Sequence, residues 1–229
     1  MSKTTFTRRA TAAIAFGAAL MVATPAFADK AAEDYVAKNA PAALAALNTS
    51  GQSPAERQAA FAKLFDQFAD LPRIADFVLG RYARTARADQ ALYQDWIATF
   101  REYSVAVYQD QLDQYRGNTI RILPGSKDAT INGRFYSVVR SEILRPGQRP
   151  FQVQWRLLRG NDGAFRVVDV AVQLDENIVW LAIQQQADFL AFLERNKGDV
   201  RALLADVKRQ TQTMRARIAS RANGRGNGG

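Results

Sequence analysis

Between Asp89 and Tyr115 the chain carries two apolar stripes written on one helical period. Leu92, Trp96, Phe100, Tyr103 and Val107 recur at spacings of four, four, three and four. Beside them run Tyr93, Ile97, Tyr108, Leu112 and Tyr115. At 1.5 Å per residue a continuous helix here spans ~40 Å, long for a small domain. A helix lying on a protein surface needs one apolar stripe. This one has two, so the fold has to supply apolar partners on both sides of it.

The segments before it read as helices too. Ala31 to Asn48 is alanine-rich, and Pro41 should kink or interrupt it. Ser53-Pro54-Ala55-Glu56 has the form of an N-cap, a proline at N1 and a glutamate at N3, opening a helix that carries Phe61, Leu64, Phe65 and Phe68. Pro72 opens a shorter helix with Ile74, Phe77 and Val78, and Gly80 is placed to end it.

After Gly117 the period changes from helix to strand. Thr119 to Leu123 is a short candidate, and Phe135 to Leu144 a longer, less regular one. Phe151, Val153, Trp155 and Leu157 alternate with Gln152, Gln154 and Arg156, the pattern of a half-buried strand. Asn161-Asp162-Gly163 supplies a turn, and Phe165 to Leu174 follows. Short connections between four strands imply an antiparallel sheet. From Ile178 to Leu193 the chain returns to helix, Lys197-Gly198 breaks it, and a weaker amphipathic helix runs from Val200 to Ile218. The order helices, strand meander, helices predicts an α+β fold: a curved antiparallel sheet of about four strands with helices on one side.

Composition narrows the chemistry. There is no histidine and no cysteine among the 229 residues. Ser-His-Asp relays, Cys-His pairs, disulfides and imidazole zinc sites are therefore all excluded. Lys3, Arg8 and Arg9, then an apolar run from Thr11 to Val22, then Ala26-Phe27-Ala28, read as a secretory signal cleaved after Ala28. The run is too short for a membrane span, which takes ~20 residues. Arg8-Arg9 hints at twin-arginine export, but Ala10-Thr11 continues that signal poorly and favours the general route.

The formal charge is +9, and it is unevenly placed. Part of it lies in the signal. The rest lies in Lys208, Arg209, Arg215, Arg217, Arg221 and Arg225, in a tail with no acid after Asp206. The body, 29–207, is balanced, which argues against nucleic acid as a partner. The tail, 208–229, either docks on an anionic membrane or only solubilises, and its Gly/Asn-rich end, 222–229, is expected to be disordered.

Sheet and long helix together hold more large apolar residues than one packed layer uses. Phe100, Tyr103, Val138, Trp155, Val170 and Ile178 either close into a tight core or line a cavity; the pattern admits both. Asp169 shares a strand face, by alternation, with Phe165, Val167 and Ala171. It is either a buried acid or base of raised pKa, or an arginine's partner. Asp175-Glu176 suits the cap of the following helix. No second acid stands at a telling spacing, so neither a metal site nor a cofactor is expected.

The stretch from Phe77 to Ile122 resembles the central motif of the MlaC, or toluene-tolerance, family of periplasmic phospholipid-binding proteins. The resemblance rests on Val78-Leu79-Gly80-Arg81-Tyr82, Phe100-Arg101-Glu102-Tyr103 and Tyr115-Arg116-Gly117. Farther on it rests on Val153 to Arg156, and on Phe165 to Val170 with Phe for the usual Trp. It covers roughly Ala59 to Val207. It implies a cystatin/NTF2-like sheet wrapped by helices around an apolar cavity, in a single domain, 29–207, acting as a monomer. It implies no catalytic residue. The lining it implies is Leu79, Tyr82, Phe100, Tyr103, Tyr108, Val138, Trp155, Val170, Val172, Ile178 and Val179. The implied function is a periplasmic carrier, serving outer-membrane lipid asymmetry. It would shuttle phospholipid between an inner-membrane ABC transporter complex with an MCE subunit and an outer-membrane lipoprotein complex.

One departure stands out. Gln173-Leu174-Asp175-Glu176-Asn177 replaces the family's E-G-V-S, and WLAIQQQADFLAFL runs longer. A similar helix in a hopanoid-associated subgroup keeps a polycyclic lipid open as ligand. An NTF2-like enzyme using Asp169 and a tyrosine, and a module for apolar peptide, are the remaining alternatives.

Overall fold

The computed structural model describes residues 29–48, 52–112, 118–131, 134–160, 162–174 and 176–226. The signal and its cleavage site, the Tyr115-Arg116-Gly117 motif, Asn161, Asp175 and the last three residues fall outside the described residues.

Among the described residues five α-helices precede the sheet: α1 (Lys30–Asn48), α2 (Pro54–Phe68), α3 (Leu71–Leu79), α4 (Ala83–Ala88) and α5 (Gln90–Leu112). Local signals set their ends. Ser53 and Glu56 form a complete capping box at α2, and Asp70 caps α3 by accepting from the Arg73 N–H. Gly80 ends α3 at φ 53°, a conformation a side chain resists. Asp89 caps α5, its Oδ1 accepting from the Leu92 N–H at 3.1 Å. Pro41 does not interrupt α1. Pro41 and Ala37, whose carbonyl loses its partner to the proline, are both exposed, so water replaces the missing bond.

The sheet is an open antiparallel meander, β1 (Thr119–Ile131), β2 (Arg134–Leu144), β3 (Phe151–Arg159), β4 (Phe165–Leu174) and β5 (Asn177–Trp180), in sequence order. It has one strand more than expected. Asn177–Trp180, of which Ile178 to Trp180 was read from sequence as helix, pairs instead with Ala171–Leu174, which gives β4's outer edge its hydrogen bonds. Helix α6 (Leu181–Arg195) starts only after that, and α7 (Val200–Gly226) follows a turn with Lys197 at φ 56° and Gly198 at φ 78°.

α7 is described as far as Gly226. Its basic residues meet acids along α5: Lys208 pairs with Asp95 at 3.0 Å, Arg215 with Glu102, and Arg217 and Arg221 with Asp110. Thr211 and Ile218 are buried on the same helix. The tail is thereby tied to the body.

The long helix is packed on two sides, but Tyr93 and Ile97 of the second stripe join the same core as the first stripe. Leu92, Trp96 and Phe100 enter a dense core with Ile74, Val78, Leu79, Phe189, Leu193, Leu203 and Val207 from α3, α6 and α7. Trp96 stacks on Phe100 and meets Phe189 edge-on, and its indole N–H donates to the Ala75 carbonyl at 3.1 Å. On the other side Val105 and Tyr108 meet Phe61, Ala62 and Phe65 of α2. Helix α1 packs on the same, inner face of the sheet: Ala32 and Val36 meet Val139, Leu157 and Phe165, and Leu44 meets Ile143 and Val153.

Candidate ligand cavity

Between the inner face of the sheet and helices α1, α2, α5 and α6 lies a cavity of about 310 Å³. The strands contribute Ile120, Ile143, Phe151, Val153, Trp155, Val170 and Val172. Helices α1 and α2 contribute Ala40, Ala43 and Leu44, and Phe61, Phe65 and Phe68. Phe100, Ser104 and Tyr108 project from α5, and Leu181, Ala182 and Gln185 from α6. Helix α1 can stand off the sheet here because alanines face it. The small side chains leave room that leucines would fill.

Strand parity decides which residues reach this space. Val139 sits opposite Trp155, and Ile143 opposite Phe151, on the helix-facing side. Trp155 faces Val170, and Val153 faces Val172. The indole N–H of Trp155 donates to Ser141 Oγ at 2.8 Å, and that hydroxyl donates to the Val153 carbonyl at 3.2 Å, so the ring is fixed in the wall.

Of the residues the sequence singled out, Phe100, Tyr108, Trp155, Val170 and Val172 line the cavity. The others lie elsewhere. Val138 pairs with Arg156 on the opposite face of the sheet, since its neighbour Val139 takes the inward position. Leu79 is fully buried in the helical core. Tyr103 packs there against Phe100 and Phe189. Tyr82 covers the α6–α7 turn, where a Cβ on Gly198 would come within 2.7 Å of its ring. Ile178 is 38% exposed on β5, and Val179 stands beside Val172 without reaching the lining. Sequence reading missed the α1 and α2 wall, although Phe61, Phe65 and Phe68 already mark one helical face.

Asp169 also borders the cavity, but not on the face that alternation gave it. The register slips between Arg156 and Leu157, so Val167 and Val170 both face inward with Val168 as the extra residue. Asp169 is turned toward Arg156, whose guanidinium meets its Oδ2 at 3.0 Å. Its Oδ1 accepts from the Val170 and Ala182 N–H groups, each at 2.9 Å, which anchors the first turn of α6. Arg156 in turn lies 3.7 Å over the Trp180 ring. Burial pushes the Asp169 carboxyl up to about 6, against the pull of these donors and of Arg156. Burial also lowers Arg156 below the usual arginine range. The carboxylate is a fully engaged anchor.

Among the described residues no group of acids is arranged to hold a metal ion, and no helix is long and apolar enough to cross a membrane. The cavity offers volume and hydrocarbon walls with a few polar atoms. That suits it to retain an apolar molecule.

A phospholipid-binding protein from Ralstonia solanacearum, solved in complex with a phospholipid, has a similar fold. The TM-score is 0.64 at 19% identity, over 82% of this chain and 98% of that one. No curated protein sequence matches the chain. The family model described as MlaC protein matches residues 36–209. Over that span, which takes in all five strands and the cavity-lining residues of the helices before the sheet, the chain belongs to the MlaC family.

Proposed function

We propose that this protein is a periplasmic lipid carrier. It holds phospholipid acyl chain in the cavity and ferries it between an inner-membrane ABC transporter complex bearing an MCE subunit and an outer-membrane lipoprotein complex. The observation that carries the reading is the cavity itself, hollow and walled almost wholly by hydrocarbon. The phospholipid bound by the Ralstonia protein of the same fold supports it.

The volume sets the scale. An apolar cavity of ~150 Å³ takes up benzene, so one of about 310 Å³ has space for about twelve carbons. At ~0.8 kcal/mol per methylene that is roughly 10 kcal/mol gained over water. A bilayer offers the same carbons a comparable gain, so transfer in either direction is close to balanced. A two-chain lipid enters fully only if α1 and α2 move off the sheet. The protein needs no chemistry beyond this, and Asp169, with both oxygens engaged, serves it as an anchor.

The test is mass spectrometry of lipid extracted from the purified protein. Phospholipid at a fixed molar ratio supports the reading. Polycyclic lipid in its place would change the ligand and keep the carrier. Apolar peptide, or no amphiphile at all, refutes it.

A further inference from the structure

Resting on the carrier reading, we propose that Ser104, Tyr108 and Gln185 form a hydrogen-bonding seat inside the cavity for an uncharged acceptor, the ester carbonyl of a bound acyl chain. Phe100, Ser104 and Tyr108 follow one another every fourth residue along α5 and line the same space. Gln185 joins them from α6, one turn after Leu181. Ser104 is only 3% exposed, and among the described residues none of these three polar heads has a hydrogen-bond partner. These heads open onto the cavity, so a ligand that fills it shuts them off from solvent, and polar groups left there without partners cost stability. Their place in a cavity wall is explained if the ligand supplies the partner.

The character of the seat follows from its surroundings. Burial first, and the Asp169 charge second, push the Tyr108 hydroxyl well above the ordinary tyrosine range, so it stays protonated and donates. Gln185 brings amide N–H donors and Ser104 a hydroxyl. Asp169, the nearest acid, cannot fill the seat as acceptor, because its oxygens already receive from Val170, Ala182 and Arg156. Its negative charge also opposes a carboxylate or phosphate in the enclosure. What remains is a neutral acceptor set between stretches of hydrocarbon. An acyl ester meets that description, whether it belongs to a membrane glycerolipid or to a simple alkyl ester.

The test uses the full chain stripped of co-purified lipid and three probes of similar length: tridecane, methyl laurate and laurate. Binding is measured by competition and corrected for each probe's partition into hexadecane. One net hydrogen bond gives methyl laurate an advantage of about two- to ten-fold over tridecane. Tyr108→Phe, which removes one oxygen and keeps the ring, should erase most of that advantage, read as the ratio of methyl laurate to tridecane binding. Ser104→Ala with Gln185→Leu should erase the remainder. Equal binding of ester and alkane by the native chain overturns the seat, as does an ester preference that survives all three substitutions. Tightest binding of laurate overturns it too. If no probe binds, the carrier reading falls and the seat falls with it.

Discussion

Ala43→Phe is the most direct way to ask whether the hollow interior is the binding site. Ala43 lines the cavity from α1, beside Phe61, Phe65 and Tyr108. A phenyl ring placed there needs about the ~150 Å³ that a benzene-binding cavity provides, roughly half of the 310 Å³ present. Ligand carbon displaced by the ring numbers about six, worth ~5 kcal/mol at ~0.8 kcal/mol each. The bilayer still offers those carbons their full gain, so the whole difference appears as lost affinity, on the order of a thousand-fold. The free protein moves the other way, because an added ring buried among Phe61, Phe65 and Tyr108 contributes ~1.5–3 kcal/mol. Lipid per protein, by extraction and mass spectrometry, should fall to a small fraction of the native load. The melting temperature of the delipidated chain should rise by a few degrees. A full lipid load in a variant whose melting temperature has risen would mean that the ring fills the cavity and the lipid sits elsewhere.

Two further substitutions separate the faces and the anchor. Val138→Asp, on the side of the sheet shared with Arg156, should leave the lipid load of the native chain. Val153→Asp, in the cavity wall, should abolish it; equal loads in the two variants would contradict the strand parity described above. Asp169→Asn replaces a buried carboxylate by a neutral amide, and because burial already favours the uncharged form, chemical denaturation at neutral pH should show little loss of stability. Its pH dependence has a definite sign. The folded-state value of about 6 lies above the ordinary 3.8, so the folded state holds the proton more tightly. The stability from this group is complete at low pH and is lost as pH rises between those two values. Roughly 3 kcal/mol is at stake. Urea midpoints across that window should fall for the native chain more steeply than for the Asn variant, and parallel curves would refute the assignment.

Where the sequence was legible, the determinant was local. The Ser53–Glu56 capping box, the Gly80 stop and the Lys197–Gly198 break each depend on a few neighbouring residues, and each stands in the fold. The double stripe on α5 was legible for a similar reason, since a helix displays its own period. What failed depends on pairing. Val138 and Val139 are adjacent and alike, and only the cross-strand partners reveal which of them turns inward. The extra residue at Val168 reverses the face of Asp169, and nothing in VVDVAV announces it. Asn177–Trp180 is apolar enough for helix, yet the free edge of β4 takes it as strand. The alanines of α1 looked featureless because a wall that works by being small leaves no conspicuous residue behind.

A hollow interior has to be reconciled with a stable fold. An unfilled cavity costs ~24 cal/mol per Å³, so 310 Å³ represents at most about 7 kcal/mol, of the same order as the whole stability of a typical domain. The molecule meets this by keeping its dense packing and its cavity apart. Trp96, Leu79, Val78, Leu193, Leu203 and Val207 are all but inaccessible in a core built from α3, α5, α6 and α7, and none of them reaches the cavity. Phe100 and Ile74 stand in both, large side chains of that core that also form part of the wall. The α5–α7 ion pairs reinforce the same half of the molecule. The cavity walls on α1 and α2 are thus free to vary in size and position while the other half carries stability. Substitutions that shrink side chains in the helical core should therefore unfold the protein, whereas the same reductions in the α2 wall should mainly change how much hydrocarbon it holds.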